Sequence, residues 1–64
     1  MTEAEYNQYK LLVLSKSTSA TIHKFNNLLG AMEIAINEYS KTKNRDWLKI
    51  ASQARREINK ALFT

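Results

Sequence analysis

From Ile22 onward the apolar residues recur at alternating steps of three and four: Ile22, Phe25, Leu29, Met32, Ile36 and Tyr39. That spacing is the a/d seam of a helix. Leu14, Thr21, Leu28 and Ala35 stand a heptad apart on a flanking line and make the apolar face wider than a two-stranded seam, as bundle helices require. A second seam passes through Trp47, Ala51, Ala54, Ile58 and Ala61, with Ile50 and Leu62 widening it. Between the two lies "SKTKNRD" (residues 40–46), the one linker-like stretch, in which Asp46 or Asn44 can cap the second helix. At the start, "TEAE" has capping-box form, with Thr2 accepting from the backbone of Glu5 and the Glu5 carboxylate reaching back. The pattern therefore predicts a helix over 3–40, a loop over 41–45 and a helix over 46–63.

The first of these helices would be about 37 residues and roughly 55 Å long at 1.5 Å per residue. Its seam weakens over "SKSTSAT" (residues 15–21), where Ser15 and Thr18 occupy a and d positions. Small hydroxyl residues bond back to the preceding turn and let a helix bend. Two readings stay open there, a poor but continuous helix and a flex point.

Composition narrows the class. Proline and cysteine are absent and there is one glycine, so the chain is expected to be all-α, without disulfides, and suited to a reducing compartment. One histidine and six scattered carboxylates assemble no metal site, and no cofactor is expected in this chain. With no long apolar run and an acidic, polar start, neither a membrane segment nor a signal peptide is read, and the cytoplasm is the expected compartment. Sixty-four residues make at most one domain with a modest core. A short connection makes the two helices antiparallel neighbours. Two helices cannot cover two wide apolar faces, so the expected architecture is an antiparallel helical hairpin that forms a homodimeric four-helix bundle. Tyr6 and Tyr9, beyond the reach of the second helix, are expected to pack on the partner's overhang or to contact another protein. The net charge of +4 favours anionic partners, although most basic side chains on such a surface simply solvate helices.

The candidate chemistry is at His23. With Ile22 at a and Phe25 at d, His23 is at b and points to solvent, and Asn27 lies one turn further along the same side. An exposed imidazole on a rigid helix, beside an amide, can serve as a nucleophile, though spacing alone fits a plain surface histidine as well.

The heptapeptide "HKFNNLL" (residues 23–29) resembles the H-box of two-component sensor histidine kinases, commonly H-[D/E]-F-N-N-L-L. Upstream, "KLLVL" from Lys10 to Leu14 resembles the lead-in to that box, and downstream "ASQARREINKAL" resembles the family's second helix. The resemblance implies a dimerisation and histidine-phosphotransfer domain. His23 would be the phosphoacceptor, Asn27 would orient a water when the bundle dephosphorylates a regulator, and Asn26 would be structural near the dimer seam. The implied partners are a homodimer mate, a response-regulator receiver domain and a kinase catalytic domain. ATP and magnesium would act only through that separate domain.

Two departures shape the expectation. The residue after the histidine is normally acidic and helps activate the imidazole; here it is Lys24, which can instead help neutralise a phosphoryl group in transfer. Nor does the sequence contain a Gly-rich lid or a magnesium-binding asparagine motif, so these residues alone are not a kinase. A kinase fragment, a stand-alone phosphotransfer protein and a decoy all fit. A receiver would dock along the first helix with its acidic pocket facing Lys24, Lys16 and Arg55 or Arg56. The alternatives are a non-catalytic helical dimer that binds or inhibits a kinase or regulator, and, less favoured, a basic hairpin that binds nucleic acid and loses affinity steeply with salt.

Overall fold

In the computed structural model, which describes residues 2–63, the chain forms three helices: α1 (Glu3–Lys16), α2 (Ile22–Thr42) and α3 (Asp46–Leu62). The described residues contain no strand. The expected single helix over 3–40 is thus two helices, and residues 17–21 are the corner between them. Ser17 is extended at φ −77°, ψ 143°. Its hydroxyl donates to the Val13 carbonyl at 2.7 Å, and the Ser15 hydroxyl donates to Leu12 at 2.7 Å. Thr21 Oγ1 accepts from the Thr18 backbone N–H at 3.1 Å, while the Ile22 N–H donates to the Thr18 carbonyl at 3.0 Å. Side-chain hydroxyls thus take over bonds that a continuous helix would have made along its backbone.

Folding back wins because of what it buries. Tyr6 and Val13 become part of the core with Phe25, Leu29, Met32, Ala54 and Ile58, and Tyr9 and Leu14 pack against it. Each large side chain fully buried contributes roughly 1.5–3 kcal/mol. A helix hydrogen bond given up costs about 0.5–1.5 kcal/mol net. Tyr6 donates its hydroxyl to the Leu29 carbonyl at 2.9 Å, and Tyr9 donates to Asn59 Oδ1 at 2.6 Å. One turn of α1 therefore grips both other helices, and α1 lies in the groove between them. The two tyrosines are bound within their own chain rather than offered to a partner. The structure measures 35 × 19 × 18 Å, well short of the length of an unbroken first helix.

The α2–α3 hairpin matches the seams closely. Phe25, Leu29, Met32 and Ala35 of α2 are buried, as are Ala51, Ala54 and Ile58 of α3. The ends of the second seam are looser: Trp47 is half-buried and Ala61 and Ile50 are exposed. The turn is shorter than expected, because α2 runs on to Thr42. It closes on Lys43, in the left-handed region at φ 58°, whose N–H donates to the Tyr39 carbonyl at 2.8 Å. Asn44, not Asp46, supplies the side-chain bond at the start of α3: its Oδ1 accepts from the Asp46 N–H at 3.0 Å. At the other end, Thr2 Oγ1 accepts from the Glu5 N–H at 3.2 Å and donates to the Glu5 carboxylate at 3.1 Å.

Candidate functional site

The corner at 17–21 moves His23 from the expected middle of a long helix to the first turn of α2. Thr21, the residue before the helix, turns its side chain to Thr18 and makes no cap to the first turn. The Ile22 and Phe25 N–H groups bond to the Thr18 and Thr21 carbonyls. The N–H groups of His23 and Lys24 belong to the set that an α-helix leaves without internal partners. The first turn carries no acidic residue of its own to offset the positive end of the helix dipole.

His23, Lys24 and Asn27 are all exposed. His23 and Asn27, one turn apart, share a side of α2. Lys24 is rotated towards α3, where it lines an open cleft with Glu57, Lys60 and Ala61. The neighbours of His23 one turn away along the chain are Ser19, Ala20, Asn26 and Asn27, so no carboxylate of its own helix sits beside it. Asn26 is exposed as well, with no side-chain hydrogen bond among the described residues, in place of the expected structural contact.

Neither arginine expected to join Lys24 lines its cleft. The Arg55 guanidinium packs over the Tyr9 ring at 5.6 Å, on the α1 side. Arg56 lines a groove of about 550 Å³ along α3 with Leu48, Lys49 and Gln53, and that groove shares Glu57 and Lys60 with the Lys24 cleft. Lys60 lines the same cleft as Lys24, a juxtaposition that arises only once α2 and α3 are packed.

No family model, curated protein or solved structure matches this chain. The described residues hold no group of three or more His, Asp or Glu side chains able to hold a metal ion. No helix among them is long and apolar enough to cross a membrane. The chemistry on offer is therefore that of one solvent-facing imidazole, a lysine, an amide and a helix N-terminus.

Proposed function

We propose that the chain is a histidine phosphoacceptor of a two-component phosphorelay, with His23 exchanging phosphate with a response-regulator receiver or a kinase catalytic domain. The observation that carries this reading is the exposure of His23 on the first turn of α2, within a segment that resembles the H-box. A neutral imidazole has one ring nitrogen with a free lone pair. Attack on the phosphorus of an aspartyl phosphate forms a P–N bond and breaks the P–O bond, whose electrons leave with the carboxylate. The remaining ring N–H then loses its proton to water. The product is an anion at a helix N-terminus, a placement that helps by about 0.3–1 kcal/mol. Lys24 adds a cation within reach of that phosphoryl group. Asn27 would orient a water in a separate reaction, hydrolysis of a bound regulator's aspartyl phosphate.

The resemblance brings with it a homodimer, a four-helix bundle and a cytoplasmic setting, and these belong to the same proposal. The core does not demand the dimer, because α1 covers the faces that a second hairpin would have covered. A second reading, a non-catalytic binder of a kinase or receiver, is favoured by Lys24 and by the lack of a carboxylate on the helix beside His23.

Incubation with phosphorylated receiver domains, or with ATP and a detached kinase catalytic domain, separates the two. The expected result is phosphate on the chain that is labile in acid and stable in alkali, and that is lost in His23→Gln with helicity unchanged. Tight binding to a kinase or receiver without label from any donor would establish the second reading instead.

A further inference from the structure

We infer that the outward face of α3 is a binding surface for the phosphate backbone of duplex DNA. Ala51, Ala54 and Ile58 turn one side of α3 into the core. On the opposite side, at helical steps, stand Lys49, Ser52, Gln53, Arg56 and Lys60, all of them exposed. They line the groove of about 550 Å³ together with Leu48 and a single carboxylate, Glu57. From Lys49 to Lys60 the line is about 16 Å long at 1.5 Å per residue. Like charges stand one turn apart twice, at Arg45 and Lys49 and at Arg56 and Lys60, an arrangement that weakens a helix. A helix face that only solvates the protein carries alternating signs instead. A phosphate between two such cations turns their repulsion into attraction. Asp46 approaches Lys49 at 3.9 Å, but the two side chains are 78% and 83% exposed, so the contact is weak and yields to an anion.

Charge and lining select the occupant. Glu3, Glu5, Glu33 and Glu38 all belong to α1 and α2, which leaves α3 with four cations against Asp46 and Glu57. Duplex DNA carries one phosphate charge per about 1.7 Å of axis, several within the length of the cationic line. A protein partner asks for an apolar centre to its interface. Among the described residues lining this groove, half-buried Leu48 is the one large apolar side chain. A single strand asks for aromatic platforms on which its bases stack, and the groove's described lining residues include no aromatic. A duplex asks for neither. The major groove of B-DNA admits a helix, whereas that of A-form RNA is too deep and narrow for side chains to read. With α3 laid along the major groove, Lys49, Arg56 and Lys60 contact phosphates at its rims. His23 and Asn27 line neither this groove nor the adjoining Lys24 cleft, so the DNA does not cover them. The surface does not rest on the phosphotransfer reading.

Fluorescence anisotropy of a labelled DNA duplex of about 20 base pairs, titrated with the full chain from about 20 to about 200 mM salt, tests this. Three phosphate contacts predict that the logarithm of the binding constant falls against the logarithm of salt with a slope of about −3. Arg56→Gln should weaken binding several-fold and reduce that slope by about one. Lys49→Gln, Arg56→Gln and Lys60→Gln together should abolish binding while circular dichroism stays unchanged, because all three side chains stand away from the core. Lys10→Gln with Lys16→Gln, which removes two charges from α1, should leave the slope as it is. A labelled single strand of the same length, a duplex of RNA and poly-L-glutamate should each bind more weakly than the DNA duplex. No binding at the lowest salt, a triple variant that still binds, or an α1 pair as damaging as the α3 changes would overturn the inference. So would a single strand, an RNA duplex or poly-L-glutamate that binds as tightly as duplex DNA.

Discussion

Tyr6 keeps its ring in the core and its hydroxyl proton on the Leu29 carbonyl. Burial, with the Glu33 carboxylate adding to it, pushes its pKa from 10.0 up to about 12. A group protonated more strongly in the folded state than in the unfolded chain stabilises the fold below its unfolded pKa, and that stability drains away as pH rises to the folded one. The fold should accordingly weaken between about pH 10 and about 12, and Tyr9, shifted upward by burial against the opposing pull of Arg55, adds in the same direction. Tyr6→Phe should cost about 0.5–1.5 kcal/mol at neutral pH and flatten the alkaline decline. Urea titrations at a series of pH values check both, and an alkaline limb as steep as in the unchanged protein would refute the role given to Tyr6. The sequence shows Tyr6 as an aromatic at helical spacing. It does not show the residue's partner, because Leu29 is reached only after the chain turns at 17–21.

At the scale of elements, the seams of α2 and α3 were legible because alternating steps of three and four can serve only one helical face. The bounds were legible to within a few residues, and the miss at the corner has a definite cause. "SKSTSAT" contains neither proline nor glycine, and its helix-breaking strength lies in hydroxyls that compete with the backbone, Ser17 on the Val13 carbonyl and Thr21 on the Thr18 N–H and hydroxyl. Replacing Ser17, Thr18 and Thr21 together by alanine removes those bonds and favours a continuous helix. Helical content should rise, and the Cα radius of gyration, 11.6 Å in the folded chain, should grow. Small-angle scattering at low concentration decides the matter, since an unchanged radius would mean that core burial alone makes the corner. At the other turn, Lys43 holds a left-handed conformation that glycine adopts without strain. Lys43→Gly should stabilise by about 0.5–1 kcal/mol, and a lowered thermal midpoint would contradict that geometry.

For the whole molecule, the turn at 17–21 has two consequences. It lets one chain build its own core of α1, α2 and α3, and it converts the position of His23 from mid-helix to helix start. That His23 faces solvent was readable from its heptad position. Its place beside unpaired backbone N–H groups was not, since that depends on where α2 begins. Nor was the cleft that Lys24 shares with Glu57 and Lys60, which joins residues far apart in sequence. The reading of His23 as a phosphoacceptor predicts that the folded surroundings, a helix N-terminus and Lys24, draw a phosphoryl donor to the ring. Reaction of the full chain with phosphoramidate, monitored by phosphorus NMR, measures this without need of a cognate partner. The account predicts one protein-bound P–N resonance, absent in His23→Gln, forming faster in the folded chain than in the same chain unfolded in urea. A folded chain that reacts no faster than the unfolded one, or not at all, would contradict it.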